Sequence, residues 1–290
     1  MRDIYQEVTN RIVAALESGT VPWLRPWRDD KSGSALEPYN AATGRSYNGV
    51  NLLILGSMPF ADLGWITYKQ AQELGGNVRK GEHGCGVIFW KFDRVKDTDS
   101  GETKTVPFAR MYTVFNVSQC DGIDASKLKR PTAPIAGATD MNALATRAGA
   151  VVRHGGPRAF YTTAGDYVQL PSIDAFKDVN NYQSTLAHEL THWTGHEKRC
   201  AREFGKRFGD NAYAFEELVA EIGSAFLCAR HGIALEGLQH SQYLASWLSV
   251  LKADKRAIFT ASSKAKQAAT LLMQDKDEDE DAPAELAQAA

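Results

Sequence analysis

The 290-residue chain lacks the features that would commit it to several large classes. Its four cysteines, Cys85, Cys120, Cys200 and Cys228, stand far apart with no CxxC pair. That argues against both a disulfide framework and a zinc ribbon, so they read as reduced thiols. No stretch reaches the ~20 consecutive apolar residues of a membrane span. The opening MRDIYQEVTNRIVAAL breaks its apolar positions with charges, unlike a secretory signal. A cytoplasmic location with no membrane partner is therefore expected. There is no GxxxxGK[ST], and GGNVRKGEHGCG lacks the ordering of a phosphate-binding loop, so no nucleotide cofactor is expected. Helix-turn-helix, zinc-finger and RNP patterns are missing too, which speaks against sequence-specific duplex readout.

What is present is an ordinary globular composition, 43% hydrophobic and 23% charged, in a chain long enough for two domains. The net charge of −2 is unevenly spread. Residues 275–290 set seven acids against Lys276, a net −6, which leaves +4 on the remainder and makes it mildly basic. A basic body is compatible with nucleic acid without requiring it. The acidic end reads as a solvated, disordered tail, or else as a segment that competes with DNA for a basic groove.

Periodicity organises the rest. Ile4, Val8, Ile12, Val13 and Leu16 form the stripe of an amphipathic helix over 4–17. A long loop rich in Pro, Gly, Asn and aromatics follows. Residues 50–58 read as helical or buried, and WITYKQAQELGG, residues 65–76, as a helix stopped by glycines. The period then changes to two in CGVIFWKFDRV and FARMYTVFNVSQ, a pair of strands joined by a polar turn. The Pro/Ala/Thr-rich run over 126–139 is a linker. Beyond it come a helix (140–149), strand VVRH, strand AFYTTAGDYVQL and helices near 174–195, 212–231, 241–252 and 254–273. The expected class is α+β: a mixed first domain over 1–125, the linker, a small sheet followed by helices over 140–274, and the tail.

The chemistry concentrates in STLAHELTH, residues 184–192. His188 and His192, four apart, lie on one helical face and can direct both imidazoles at one ion, while Glu189 is turned about 100° away and can reach a water on that ion. Zinc lowers the pKa of such a water towards ~7, and Glu189 would act as general base and then return the proton to a leaving amine. Manganese or another divalent ion could occupy the same ligands. A catalytic site needs a third protein ligand. His196 would need a break at Thr194-Gly195, because three histidines at i, i+4 and i+8 span ~12 Å; the extended HExxHxxGxxH pattern places Lys198 where its histidine belongs. The next helix offers Glu217 and Glu221. Glu221, among apolar neighbours, is the preferred ligand and Glu217 the residue that orients a histidine, with the reverse as alternative, a gluzincin-like arrangement. Gly223, Ser224 and Ala225 would let this helix lie close to the HExxH helix. Tyr213, one turn before Glu217, is either an oxyanion donor or a packed aromatic.

In the first half, rings and cations interleave: Trp23, Arg25, Trp27, Arg28, Tyr39, Arg45, Tyr47, Trp65, Tyr68, Arg79, Lys80 and Trp90. Single-strand binders combine cationic grooves with rings on which bases stack, and Trp23, Arg25, Trp27, Arg28, Arg45, Tyr47, Asn51, Trp65 and Lys80 are the candidate contacts. The same residue types also serve as ordinary core.

Several blocks carry a resemblance over nearly the whole chain. PWLRPW, YNAATGRSYNGVN, WITYKQAQELGGNVRKGEHG and YTVFNVSQCDG look like the N-terminal domain of the ArdC-type antirestriction proteins of conjugative plasmids. HELTHWTGHEKR and YAFEELVAEIGSAFLC look like the zinc peptidase domain that accompanies it. The resemblance implies a domain that binds single-stranded DNA, a zincin-like metallopeptidase domain, and protection of incoming plasmid DNA from host restriction. It leaves open an active peptidase cutting a host restriction-system protein, a DNA-coating protein whose metal site is structural or silent, and a general peptidase whose first half recognises substrate.

Overall fold

The computed structural model describes residues 3–23, 37–96, 103–131, 140–205, 211–233 and 241–274. Helix α1 spans Ile4–Glu17; Asp3 caps it by accepting the Gln6 N–H at 3.1 Å, and Val8, Ile12 and Leu16 are its buried stripe. Strand β1 (Tyr39–Asn40), helix α2 (Val50–Gly56) and strand β2 (Gly64–Ile66) follow. Helix α3 runs only over Tyr68–Glu73, so Trp65 and Ile66 belong to a strand and not to the helix expected from residue 65. The reason is local. Thr67 and Gln70 form a capping box, Gln70 N–H to Thr67 Oγ1 at 3.1 Å and Thr67 N–H to Gln70 Oε1 at 3.0 Å, which starts the helix at Tyr68.

After β3 (Asn77–Val78), the long strands β4 (Cys85–Lys96) and β5 (Thr103–Asn116) pair antiparallel from Cys85↔Val114 to Lys96↔Thr103, as their alternation suggested. Their buried face holds Cys85, Val87, Phe89, Tyr112 and Val114. Strand β6 (Cys120–Asp121) pairs with β3, and the larger sheet has the order β1-β2-β5-β4.

Beyond the linker come α4 (Met141–Ala148), ended by Gly149 at φ +82°, and β7 (Val151–His154). The single strand expected over AFYTTAGDYVQL is two, β8 (Phe160–Thr162) and β9 (Tyr167–Leu170), because residues 163–166 turn, with Asp166 at φ +48° and the Tyr167 ring over Gly165. The sheet order is β7-β9-β8, with β9 parallel to β7 and antiparallel to β8. Helices α5 (Val179–Thr194), α6 (Asn211–His231), α7 (Ser241–Ala253) and α8 (Ala257–Met273) complete the chain. No helix among the described residues is long and apolar enough to cross a membrane.

Packing groups these elements differently from one cut at 126–139. One compact unit contains α1, α2 and everything from α4 to α8; the other contains β1 to β6 and α3. The buried stripes of α1 and α2 explain this, since α1 packs on α7 and α2 on α8. The expected linker (126–139) is described only to residue 131, and residues 275–290 lie outside the described residues.

Candidate metal centre

Helix α5 is started by Asp178, whose carboxylate accepts the Asn181 N–H at 2.9 Å. Leu186, Ala187 and Leu190 are fully buried, which turns His188, Glu189 and His192 towards α6. The two helices meet at small residues: a Cβ at Gly223 would lie 2.5 Å from Thr191 Cγ2, and the Ser224 hydroxyl donates to the Ser184 carbonyl at 3.1 Å. This close crossing, expected from Gly223 and Ser224, fixes which carboxylates of α6 stand level with the histidines.

His188 Nε2 and His192 Nε2 are 3.1 Å apart, and Glu217 faces both, with Oε2 3.6 Å from the first and Oε1 3.6 Å from the second. One ligand atom from each of these three residues lies within 4.8 Å of the others. Glu221 instead reaches the far side of the first ring, Oε1 to His188 Nδ1 at 3.5 Å. The geometry favours the alternative assignment: the α5–α6 crossing puts Glu217 opposite both Nε2 atoms and Glu221 on the far side of the His188 ring. Two imidazole nitrogens and a carboxylate oxygen converging in a buried site suit a divalent cation, since without one their lone pairs and charge have to be met by protons.

The titration of these groups carries the same message. Burial disfavours charge on His188, yet the hydrogen bond to Glu217 and the nearby carboxylates of Glu221, Glu189 and Glu217 raise it to about 10. Burial would raise Glu217, but the His188 bond and the two imidazoles bring it down to about 2. Glu221 is pushed up to about 7 by burial. Glu189 is also raised by burial, against the pull of both histidines and a hydrogen bond from the Tyr161 backbone N–H of β8. A buried carboxylate of raised pKa beside the ligand pair is suited to accept a proton.

Residues that the spacing did not single out hold the second histidine. His192 Nδ1–H donates to Glu216 Oε1 at 3.1 Å. Glu216 is gripped by Arg202, Nε to Oε2 and Nη2 to Oε1, both at 2.9 Å. The same guanidinium donates to Thr194 Oγ1 (2.8 Å) and the Thr191 carbonyl (2.6 Å), which closes the end of α5. The Glu216-Glu217 pair inside an otherwise apolar helix was a readable sign; nothing marked Arg202. Nearby, Arg199 stacks on the Trp193 ring at 3.7 Å and pairs with Asp166, joining the β8–β9 turn to the end of α5. Tyr213 hydrogen-bonds to Glu217 and to Tyr243 of α7, and burial and those partners raise its phenol. Its phenol therefore lies against the candidate ligand, at a position where the sequence allowed either an oxyanion donor or a packed aromatic. Tyr243 was not legible because α7 is distant in sequence. His196 accepts the Lys198 N–H and stands outside the group, and His154 hydrogen-bonds with Tyr182.

The nine residues expected to contact DNA fare differently. Trp23, Tyr47, Asn51 and Trp65 are buried, the first packed edge-on against Trp247 and the last against Phe60, so these rings are core and offer no face to a base. Arg45 and Lys80 are exposed. Arg25, Trp27 and Arg28 lie outside the described residues.

Comparison with known proteins accords with both halves. The N-terminal domain of anti-restriction factor ArdC matches residues 2–115, and a zincin-like metallopeptidase family matches residues 139–264. An uncharacterized protein, y4eC, of Sinorhizobium fredii (strain NBRC 101917 / NGR234) is 41% identical over 281 residues, covering 92% of this chain and 90% of that protein. A DNA primase TraC of Escherichia coli is 36% identical over 287 residues; the match spans 92% of this chain and only 26% of the primase. Among solved structures, the metal-free antirestriction ArdC protein from plasmid R388 superposes with a TM-score of 0.79 at 40% identity, covering 94% of this chain and 97% of that one. Its Mn(II)-bound form gives 0.77 at the same identity, over 94% and 98%.

Proposed function

Because the chain belongs to the ArdC antirestriction family, with a zincin-like domain, we propose that it is a plasmid-borne antirestriction protein. In this reading it binds single-stranded DNA and carries a divalent-metal peptidase site, and so protects conjugating DNA from host restriction. The observation that carries the peptidase reading is the convergence of His188, His192 and Glu217 with Glu189 beside them. A purely structural ion needs ligands but no base.

His188, His192 and Glu217 would hold the cation. Both zinc and manganese accept imidazole with carboxylate, and an ArdC relative is seen with Mn(II). When bound, the ion supplies Lewis-acid polarisation of a peptide carbonyl and acidifies water. Glu216 accepts the His192 Nδ1–H, and Glu221, 3.5 Å from His188 Nδ1, would take that ring's N–H, which would leave both Nε2 atoms for the cation. Tyr213 fixes the Glu217 carboxylate. Glu189 takes the proton of the attacking water and delivers it to the leaving amine. A restriction-system protein of the host is the candidate substrate, and DNA binding would bring the peptidase to it.

Glu189→Gln tests this reading, since it keeps the ligands and nearly the same shape. The variant should bind metal as the wild type does and fail to protect transferred DNA in a host with active restriction. Full protection by a folded, metal-loaded Glu189→Gln protein would leave DNA coating as the function and the metal site as structural.

A further inference from the structure

We infer that the cleft between α3 and β5, walled by Tyr68 and floored by Phe115 and Met111, is a platform on which unpaired nucleic-acid bases stack. The inference rests on the single-strand reading above and gives that binding a place. Burial of Trp23, Tyr47 and Trp65 removes three of the candidate rings, and Trp27 lies outside the described residues. In the unit made of β1 to β6 and α3, Tyr68 is the large apolar side chain that stands exposed among the described residues, at 49%.

The surroundings of Tyr68 are shaped for a flat ligand. Its ring lies edge-on to Phe115, centroids 6.5 Å apart. Phe115 in turn lies across Gly84, where a Cβ would meet its ring at 3.0 Å, and Met111 lies across Gly86, where a Cβ would meet its sulfur at 2.8 Å. The glycines let both side chains fold down onto the hairpin and form a low floor in place of upright side chains. Thr113, between them on β5, is exposed. The cleft measures about 550 Å³.

The carboxylates near its rim are already engaged: Glu73 pairs with Lys69 at 3.8 Å and Glu82 with Arg79 at 2.6 Å. Lys69 lines the cleft, and no carboxylate does. The loop that leads into Gly84 exposes Lys80 and His83. A floor two side chains wide is too small to anchor a folded partner, whose interface needs ~800 Å² on each side. It suits one or two splayed bases, with cations at the rim to meet the phosphates.

The test uses the full chain and fluorescein-labelled oligo-dT, followed by anisotropy at several salt concentrations. Tyr68→Ala should weaken binding about 10-fold, the loss of one stacked base, and Tyr68→Phe should retain it. Thr113→Glu should weaken it through charge, and Lys69→Gln should lower the salt slope by ~0.7. The exposed positions of Tyr68 and Thr113 predict melting temperatures like the wild type's, which circular dichroism checks. Wild-type affinity in both Tyr68→Ala and Thr113→Glu would overturn the placement and leave DNA binding in force elsewhere on the chain. A wild type that does not bind oligo-dT would overturn this inference together with the single-strand reading.

Discussion

Replacing Arg202 by methionine is the sharpest test of how the metal centre is held. Arg202 is 6% exposed and makes four hydrogen bonds, two of them the bidentate pair with Glu216. Methionine keeps most of the stem's packing and removes every donor. Glu216, itself 3% exposed, is then left a buried carboxylate whose remaining partner among the described residues is His192. Breaking a buried pair by removing one partner costs ~3–5 kcal/mol, most of it the uncompensated charge. For a unit of this size ~1 kcal/mol shifts the melting temperature by ~2–4 °C, so the metal-free variant should melt on the order of 10 °C lower. Metal affinity should also fall ~10- to 100-fold, because the group that orients a ligating histidine has lost its anchor.

The double variant Arg202→Met/Glu216→Leu separates the two effects. Removing both charges leaves an apolar pair, so melting should recover most of its loss. Affinity for Zn²⁺ or Mn²⁺, measured by competition with a chromophoric chelator, should stay low, since the Nδ1–H of His192 still lacks its acceptor. Wild-type metal affinity in the folded double variant would refute the view that Glu216 positions His192. A metal-free Arg202→Met protein that melts with the wild type would refute the energetic argument.

Three further outcomes follow from the same geometry. In the metal-free protein His188, raised to about 10, holds a proton at neutral pH that an ion must displace. Metal uptake near pH 7 should therefore release about one proton, seen as a dependence of calorimetric heat on buffer ionisation enthalpy; heats independent of buffer would contradict the assignment. A pKa raised in the folded state contributes stability that is present in full below about 6.5 and is lost as pH rises through about 10. Glu221, raised to about 7, loses stability in the same direction. The apo protein should thus melt at lower temperature at pH 9 than at pH 6, a trend metal should suppress. At the helix crossing, Gly223→Ala places a methyl 2.5 Å from Thr191 Cγ2 and should cost ~1–3 kcal/mol by overpacking, recovered in part by Thr191→Ala. An unchanged melting curve for Gly223→Ala alone would show that the helices have slack there.

What the residues disclosed and withheld depends on range. Asp3 and the stripe of Val8, Ile12 and Leu16 lie within one helix, so α1 was legible to its ends. His188 and His192 were legible for the same reason, since a spacing of four alone sets a common face. Which carboxylate faces both Nε2 atoms was not, because Glu217 and Glu221 share a face of α6 and the choice between them is made by where α6 crosses α5. Gly223 against Thr191 and Ser224 against Ser184 make that choice, and they act between residues more than thirty positions apart. Arg202 was hidden more completely, because its three partner residues come from two helices.

The rings show the cost of one misplaced boundary. Had a helix begun at residue 65, Trp65 and Tyr68, three apart, would have shared a face and a fate. The capping box at Thr67 and Gln70 puts a strand end and a helix start between them instead. Trp65 is left on the sheet, 1% exposed, and Tyr68 opens the helix at 49%. The motif that makes this division, Thr-x-x-Gln with its two reciprocal bonds, stands in the sequence at residues 67–70. It is read only when the apolar period is weighed against the cap, and here the cap prevails because it satisfies two backbone N–H groups, at Thr67 and Gln70. The candidate base-stacking ring of the N-terminal half is thus the one that a three-residue error in a helix start would have assigned to the core along with its neighbour.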